Sequence, residues 1–413
     1  MRLVVQKFGG TSVADAEKIH RAARRAVKAK LDGSEVVMVV SAMGKTTDQL
    51  IALAREVHPT PPRREMDMLL STGEQISISL MAMAIASAGQ QAISLTAAQV
   101  GLVTDEAHTK ARIKSIDADR IRRHLDAGQI VIVAGFQGVT EAGEITTLGR
   151  GASDTTAVAL AAVLGAERCE IYTDVDGIYT ADPRLVPQAR KMNGICYDEM
   201  LELASLGAGV MHSRAIEFGK KYGVPIHVRS SLTDTEGTMI VEEHEAMEQV
   251  IVRGATVKRD LVRVTLMGVP NVPGSAAQIF AKLAGQNVIV DDIIQNVYEH
   301  GKVANIGFTV PTADLNETRA LVELIGKELP LEGYEIDENV AKVSIVGIGM
   351  RSHAGVAEKM FEALATGKIN IENISTSEIM IGCLVRADQA DLALRLVHET
   401  FELDKAPATG EPQ

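Results

Sequence analysis

The chain has no tryptophan, few aromatic residues and only three cysteines among its 413 residues. An aromatic content of 3% excludes a stacking platform for single-stranded nucleic acid. Cys169, Cys196 and Cys383 lie far apart without a C-x-x-C pair, which excludes a disulfide framework and a cysteine metal site and fits a reducing compartment. Basic residues are outnumbered, 42 against 54 acidic, and this net charge of −12 argues against a nucleic-acid partner.

The sequence also shows neither a long apolar run nor the pattern of a signal peptide. Because no eighteen consecutive residues are apolar, we expect no membrane span. The first eight residues already read as a core strand rather than as a basic region followed by an apolar one. We therefore expect a cytoplasmic protein, and its length predicts two or three domains.

The first half of the chain alternates apolar strands with helical patterns. The predicted strands cover 2–6, 35–40, 130–134, 170–172 and 225–229, and the predicted helices cover 13–31, 64–88, 117–127 and 153–164. This alternation predicts an α/β fold with a largely parallel sheet covered on both faces, whose functional loops gather at the carboxyl ends of the strands. A hairpin turn is predicted at 141–144.

An internal repeat follows the charged stretch 242–248. One constant offset relates six pairs: Gly268 and Gly349, Gly274 and Gly355, Phe280 and Phe361, Leu283 and Leu364, Asp291 and Glu372, Ile293 and Ile374. Each copy reads as strand, helix, strand, strand, helix, which is typical of a small ferredoxin-like unit. The second copy has no final strand, so we infer that the unpaired β-like run 250–257 completes its sheet.

The strongest site signal is Lys7-Phe8-Gly9-Gly10-Thr11-Ser12, between a predicted strand and a predicted helix. Two glycines let the backbone approach an oxyanion, and Lys7 and the helix N-terminus supply positive charge. The run predicts a phosphate site, although it matches neither the P-loop nor the dinucleotide fingerprint. A tight turn without a ligand is the simpler alternative.

Two later segments carry further candidates. In 148–156 Arg150 suits capture of a carboxylate or phosphate, and Asp154 could orient Lys7 or an ammonium group. The alternative is helix capping by Ser153 or Asp154 beside a solvated arginine. The segment 172–184 lacks the remaining ligands of a calcium loop, and a nucleotide base and ribose site is the better interpretation.

Taken together, these segments resemble one family, the aspartate kinases of the amino-acid kinase superfamily. The matching segments are 5–13, 40–44, 66–74, 135–138, 147–156, 172–179 and 371–378. The resemblance implies a three-layer αβα kinase domain over 1–245 with a mainly parallel sheet. It further implies a linker and shared strand over 246–261 and two ferredoxin-like (βαββαβ) ACT units over 262–340 and 341–413.

The resemblance also implies ATP-dependent phosphorylation of the β-carboxylate of L-aspartate to 4-phospho-L-aspartate, which opens lysine (through diaminopimelate), threonine and methionine biosynthesis. Mg²⁺ would be carried by the nucleotide phosphates. The implied catalytic residues are Lys7, Arg150 and Asp154, and the implied aspartate site is Ser41, Thr47, Glu74, Arg150 and Ser153. The implied nucleotide site is Lys7, Phe8, Gly9, Gly10, Thr11, Thr173, Asp174, Tyr179, Asp182 and Arg184.

Two positions depart from the family pattern. Ala152 stands where the family usually has glycine, and Gly209 stands where relatives commonly carry lysine or arginine. We expect His212 or Arg214 to replace the missing cation. The loss at Gly209 is the support for one alternative, a catalytically weak amino-acid sensor. The other alternative is a kinase for a related acidic amino acid, such as glutamate or acetylglutamate.

The paired ACT units imply feedback by lysine, threonine or both, and a homo-oligomer formed through these units. The expected effector residues are Asn271, Gly274, Ser275, Ala276, Asp291, Gln295, Asn296, Asn370, Ile371, Thr376 and Ser377. The corresponding site of the second copy is expected to be altered or unused. Met247 is placed for an internal start, which predicts a shorter regulatory subunit, 247–413, that folds alone.

Overall fold

The computed structural model describes residues 2–149, 151–244 and 249–406, and its N-terminal part (2–244) is built on an eight-stranded sheet. The strands of this sheet are β1 (Arg2–Phe8), β2 (Ser34–Val40), β3 (Ala92–Leu95), β6 (Ile130–Ala134), β9 (Arg168–Thr173), β10 (Gly194–Cys196), β11 (Ile226–Ser230) and β12 (Thr238–Val241). Their order is β10-β12-β11-β9-β1-β2-β6-β3, and only the β11–β12 pair is antiparallel. The mainly parallel sheet predicted from the sequence is confirmed.

Helices cover both faces of this sheet, since residues of the buried strands point alternately to two apolar clusters. The helices of the N-terminal part are α1 (Ala16–Leu31), α2 (Thr46–Val57), α3 (Arg63–Ser87), α4 (Asp119–Asp126), α5 (Ser153–Leu164), α6 (Tyr197–Ser205) and α7 (Ser213–Tyr222). Along β2, for example, Val37 and Val39 pack in one cluster, whereas Val36 and Met38 pack in the other. The three-layer αβα arrangement is therefore confirmed.

The first predicted helix begins later than expected. A 3₁₀ turn covers Gly10–Val13, and α1 starts at Ala16, where the Asp15 side chain accepts a hydrogen bond from Lys18 N–H (2.9 Å). The side chain of Asp15 thus caps the helix N-terminus, as aspartate commonly does. The predicted start of the helix at Val13 was therefore wrong by three residues.

One described helix, α3, is long and apolar enough by length and composition to cross a membrane. Half of its most apolar window is buried inside the protein, and Ile78, Met81 and Ile85 pack in the cluster on one face of the sheet. This is the burial of a core helix.

A second, smaller sheet lies beside the first. Its order is β5-β4-β7-β8, formed by β4 (Leu102–Thr104), β5 (Ile113–Ile116), β7 (Gln137–Thr140) and β8 (Ile145–Thr147). The turn predicted at 141–144 joins β7 to β8, where Thr140 N–H donates to Glu144 O at 2.8 Å.

The repeat forms two antiparallel four-stranded sheets. The first repeat (261–337) contains β14 (Leu261–Pro270), α8 (Ser275–Gly285), β15 (Asp291–Tyr298), β16 (Val303–Pro311), α9 (Leu315–Glu328) and β17 (Gly333–Asp337). The second repeat (340–400) contains β18 (Val340–Val346), α10 (Val356–Thr366), β19 (Asn373–Thr376), β20 (Met380–Arg386) and α11 (Ala390–Thr400). The offset found in the sequence also relates the first residues of α8 and α10, Ser275 and Val356.

The sheet of the second repeat takes its fourth strand from earlier in the chain. β13 (Gly254–Lys258) pairs antiparallel with β18, and the order is β13-β18-β20-β19, whereas the first repeat has β15-β16-β14-β17. The inferred completion of this sheet is thus observed, with a strand that begins at Gly254 rather than at Val250. The pairing ties the two repeats together through one continuous segment of chain.

Candidate active site

Three loops meet at the carboxyl edge of the parallel sheet. In register, Phe8 at the end of β1 lies beside Val40 of β2 and Tyr172 of β9. The loops that follow are joined by backbone hydrogen bonds: Ser41 N–H donates to Phe8 O at 3.1 Å, and Gly9 N–H to Tyr172 O at 3.4 Å. Topology therefore brings together three segments that are far apart in sequence.

The glycine pair serves mainly to let two loops approach each other. A Cβ at Gly10 would lie 2.8 Å from Ala42 O, a distance that real Cβ atoms do not show. Gly9 lies beside the Lys7 ammonium, since a Cβ there would be 3.4 Å from Nζ. The side chain of Phe8 is fully buried and stacked on Tyr172 with ring centroids 4.7 Å apart, so only the backbone of Phe8 borders the site.

An ion pair lies at the centre of the site. Lys7 Nζ is 2.6 Å from Asp154 Oδ1, and the two side chains are only 11% and 9% exposed. Asp154 is in the first turn of α5, whose N-cap, Ala152, makes no side-chain capping bond. The capping alternative for Ser153 and Asp154 was therefore wrong, and Asp154 instead holds the Lys7 ammonium.

The predicted aspartate residues surround the 41–45 loop. Glu74 is almost fully buried on α3 and accepts hydrogen bonds from Ala42 N–H (3.1 Å) and Gln137 Nε2 (3.4 Å). Burial raises the pKa of Glu74 to about 7, so this carboxyl titrates near neutrality. Ser41 and Thr47 are half-buried in the loop and in the first turn of α2.

Ser153 and the 148–152 loop close the other side of the site. Ser153 is buried against Gly135, where a Cβ would lie 2.7 Å from its Oγ. Gly149 and Gly151 have positive φ angles of 96° and 72°, a conformation that glycine adopts without strain. Arg150, predicted as both a catalytic and a substrate-binding residue, lies between them and outside the described residues.

The structure distinguishes the two candidates for the cation missing at Gly209. His212 packs on the 148–152 loop, because a Cβ at Gly151 would be 3.0 Å from its Cδ2, and its buried Nδ1 has no hydrogen-bond partner among the described residues. Arg214 instead donates to Ala111 O (3.3 Å) and Leu148 O (3.1 Å).

Burial lowers the pKa of His212, although the nearby Asp154 carboxylate opposes this shift. Which of the two replaces the missing cation stays a prediction. Arg214 donates to two backbone carbonyls, whereas the His212 ring lies against Gly151.

The other predicted nucleotide residues lie at the end of β9 and on the 174–193 loop that follows it. Thr173 Oγ1 lies 3.0 Å from Asp174 Oδ1, and Tyr179 donates to Asp176 Oδ1 at 2.8 Å. The Arg184 guanidinium hydrogen-bonds both oxygens of Asp182, as close as 2.7 Å, and lowers the pKa of that carboxyl.

Sequence reasoning missed a buried carboxylate, Asp67, that holds the segments next to the 148–152 loop. Asp67 on α3 is fully buried and accepts hydrogen bonds from His108 Nδ1 (2.8 Å), Thr109 N–H (3.0 Å) and Thr147 Oγ1 (2.6 Å). It therefore fixes the strand that leads into the 148–152 loop. A charged residue inside an otherwise apolar helical run was the signal that could have found it.

A separate cavity of about 340 Å³ lies in the first repeat, between the 271–276 loop and the strands β15 and β16. Gln295 Nε2 donates to Asn271 Oδ1 at 3.2 Å across it. Five of the predicted effector residues line this cavity: Asn271, Gly274, Ser275, Ala276 and Gln295.

The other six predicted effector residues do not line this cavity within one chain: Asp291, Asn296, Asn370, Ile371, Thr376 and Ser377. The β15–β16 register shifts between Asp291 and Ile294, and Asp292 has a positive φ of 47°. This bulge breaks the strict alternation of the strand, under which Asp291 and Gln295 would share one face.

Comparison with known proteins agrees with this architecture. The model of the amino acid kinase family matches residues 2–230, and a model of the ACT domain matches residues 343–401. The aspartokinase of Bacillus sp. (strain MGA3) is 50% identical over 411 residues, which cover 100% of both chains. Aspartokinase 2 of Bacillus subtilis (strain 168) is 51% identical over 99% of this chain and 100% of its own.

Solved structures with the same fold include two of E. coli aspartokinase III. Its complex with aspartate and ADP (R-state) has a TM-score of 0.82 at 26% identity, over 97% of this chain and 99% of that one. Its complex with lysine and aspartate (T-state) has a TM-score of 0.76 at the same identity and coverage. Because the family model spans more than half of the chain and curated relatives align over its full length, the chain belongs to the amino acid kinase family, among the aspartokinases.

Proposed function

We propose that the chain transfers the γ-phosphoryl group of ATP to the β-carboxylate of L-aspartate, giving 4-phospho-L-aspartate and ADP. The observation that carries this proposal is the shielded Lys7–Asp154 ion pair, 2.6 Å long, at the carboxyl edge where three loops meet. The E. coli relative of the same fold binds aspartate and ADP, which supports both substrates.

Phosphoryl transfer to a carboxylate requires compensation of negative charge rather than a general base. An aspartate β-carboxylate is already ionised at pH 7, so it needs no proton removed before attack. The two substrates are anions that must be held in line while charge spreads over the transferring group. Lys7 and the backbone amides near Gly9 and Gly10 supply positive potential there, and Asp154 keeps the ammonium in place.

The residues present fit a magnesium ion carried by the nucleotide. The described part of the chain holds no group of three or more His, Cys, Asp or Glu side chains placed to bind a metal. Mg²⁺ commonly binds one or two carboxylates together with phosphate oxygens and water, and Asp154 in the first turn of α5 and Asp174 directly after β9 would supply such carboxylates. When bound, the ion would neutralise phosphate charge.

We further propose that the first repeat binds the effector. Lysine and threonine, singly or together, are the expected ligands, and lysine is a ligand of the E. coli relative. The α-carboxylate would meet the backbone amides at the start of α8, next to Gly274 and Ser275. Asp291, Asn296 and the four second-repeat residues (370, 371, 376 and 377) would contribute from a second chain in a homo-oligomer.

We also propose the domain boundaries, the compartment, the pathways and a shorter subunit. The kinase unit would cover 1–245, the linker and shared strand 246–261, and the ACT units 262–340 and 341–413, in a cytoplasmic enzyme of lysine, threonine and methionine biosynthesis. A shorter subunit beginning at Met247 would fold alone and dimerise. Met247 itself lies outside the described residues.

The experiment is a hydroxylamine trap, which converts an acyl phosphate into a hydroxamate. Purified protein with ATP and Mg²⁺ should form hydroxamate with aspartate, but not with glutamate or acetylglutamate. In Lys7→Ala we expect kcat to fall about a hundredfold, because that charge meets the transferring group. Lys28→Ala, at an exposed ion pair near the end of α1, is the control. Nucleotide binding without any hydroxamate would instead support the sensor alternative.

A further inference from the structure

The 174–193 loop, which carries four of the ten proposed nucleotide residues, is anchored at its middle by the second repeat. The Thr180 carbonyl accepts a hydrogen bond from Ala255 N–H of β13 at 2.7 Å. Gly254 allows this approach, because a Cβ there would lie 3.1 Å from Thr180 O. The loop is therefore attached through its backbone to the edge of the second repeat's sheet.

The Thr180 side chain makes a second contact with the same repeat. Its Oγ1 lies 3.0 Å from Nε2 of His398 on α11, and the two residues are only 1% and 2% exposed. The same Oγ1 accepts a hydrogen bond from Arg190 N–H at 3.0 Å. Since a hydroxyl carries one proton, the Thr180 O–H is free to donate to Nε2 of a neutral imidazole.

Apolar contacts extend this attachment. Ala181 and Val186 of the loop are buried in the core of the second repeat, together with Leu394 and Val397 of α11. Asp182, one of the proposed nucleotide residues, lies between them in sequence. The nucleotide side of the loop therefore cannot move far without disturbing the core of the second repeat.

We propose that His398 and Thr180 are positioning residues for the nucleotide, and that their hydrogen bond holds the 174–193 loop in the conformation that binds ATP. This inference rests on the proposed function. It gives the second repeat a route to catalysis without any contact to substrate. The aspartate residues Ser41 and Glu74 lie on other segments, so the hydrogen bond affects ATP rather than aspartate.

Steady-state kinetics of the full-length enzyme test this selectivity. His398→Leu should raise the KM for ATP about fivefold, the cost of one buried hydrogen bond, and Thr180→Val at least as much, because it also removes the acceptor of the Arg190 N–H. The KM for aspartate should stay within about twofold, and the double variant should be no worse than Thr180→Val, because both changes remove the same Thr180–His398 bond. His398→Gln and Thr180→Ser keep a polar group and should recover most of the loss.

The control is Glu399→Gln, at the exposed neighbour of His398 on α11. An unchanged KM for ATP in both apolar variants overturns the inference. A lower kcat and melting temperature together with higher KM values for both ATP and aspartate also overturns it, because that pattern marks a purely structural role. Should His398→Leu not fold, the comparison of Thr180→Val with Thr180→Ser decides alone. If wild type forms no hydroxamate, the proposed function fails. If wild type is active and the KM for ATP does not move, only this inference fails.

Discussion

The two repeats share one fold and differ in what surrounds them. In the first, β14 alternates between buried and half-buried residues, and a cavity of about 340 Å³ opens beside the 271–276 loop. In the second, every residue of β18 is buried, and the core of the repeat includes Ala181 and Val186 from the N-terminal part. One repeat is open to solvent, whereas the other is packed on the catalytic part of the enzyme.

Equivalent loops show the same contrast. Gly274 and Gly355 both precede a helix with positive φ, 102° and 86°, so the backbone begins each helix in the same way. In the first repeat the loop borders the cavity. In the second, Arg351 Nη1 of the equivalent loop lies 3.3 Å from Glu243 Oε1. Just before that loop, Ile348 N–H donates to Glu199 Oε1 of α6 at 3.1 Å. The same architecture thus presents a loop beside a cavity in one copy and a contact surface in the other.

The largest expected effect concerns this contact surface. Arg253 Nε lies 3.4 Å from Glu199 Oε2, and both side chains are fully buried between α6 and the second repeat. Glu199→Ala removes the carboxylate of this buried ion pair, so we expect the free energy of unfolding to fall by about 3–5 kcal/mol in urea denaturation.

The matched change in the first repeat is Glu328→Ala. It removes an ion pair with Lys282 whose side chains are 48% and 28% exposed, and we expect a loss below about 1 kcal/mol. Equal losses in the two variants would show that the second repeat is no more firmly attached than a surface pair.

The next effect separates the two loops as ligand sites. Asn271→Ala should raise the effector concentration for half-inhibition about thirtyfold, because the amide would bond a charged group of the ligand. Its uninhibited kcat should not change. Ser352 occupies the equivalent position in the second copy, and Ser352→Ala should leave inhibition as in wild type. The reverse pattern would assign the site to the second repeat.

A third prediction asks whether substrate binding in the N-terminal part is independent of both repeats. Glu74 is bonded to Ala42 and Gln137, which belong to the N-terminal part, and its pKa is raised to about 7. If the ionised carboxyl faces the aspartate ammonium, the KM for aspartate should fall about tenfold between about pH 6 and 8. Asn271→Ala should keep this dependence, and Glu74→Gln should abolish it.

The raised pKa of the Glu74 carboxyl also fixes the direction in which stability changes with pH. Because the folded-state pKa of Glu74 lies above its ordinary value of 4.5, the folded protein binds this proton more tightly than the unfolded chain does. Wild type should therefore lose stability relative to Glu74→Gln as pH rises from 4.5 to about 7. A pH-independent difference in melting temperature would contradict the assigned burial.

The smallest effect concerns Gly209, near the junction with the second repeat. Gly209 is exposed, and a Cβ there meets no atom within 4 Å. Gly209→Lys should lower the KM for ATP about threefold by restoring a cation near the phosphates, whereas the uncharged Gly209→Gln should not. An equal change in both would rule out an electrostatic cause.

Much of the fold could be predicted because its signals are local. Apolar runs indicated the central strands, and the constant offset between the two copies indicated both ferredoxin-like units together with the need for an extra strand, which proved to be β13. The 3₁₀ turn at Gly10–Val13 and the bulge after Asp291 could not be predicted, because they depend on contacts with loops that are distant in sequence.

The site was predictable in composition and less so in geometry. The sequence named Lys7 and Asp154, and the structure places them in contact. The sequence could not reveal that Arg214 donates to two backbone carbonyls, or that Asp67 accepts a hydrogen bond from Thr147, next to the 148–152 loop. Such contacts depend on which groups are buried together. The attachment of Thr180 to His398 spans 218 residues and left no local pattern.

Hydrogen exchange with and without effector tests the division between the repeats most directly. With saturating lysine and threonine, we expect slower exchange of the amides at 269–276 and altered exchange across the 174–193 loop, because we propose that the first repeat binds the effector and the second transmits the change. Protection confined to the equivalent second-repeat loop, 350–357, or protection at 269–276 with no change at 174–193, would contradict it.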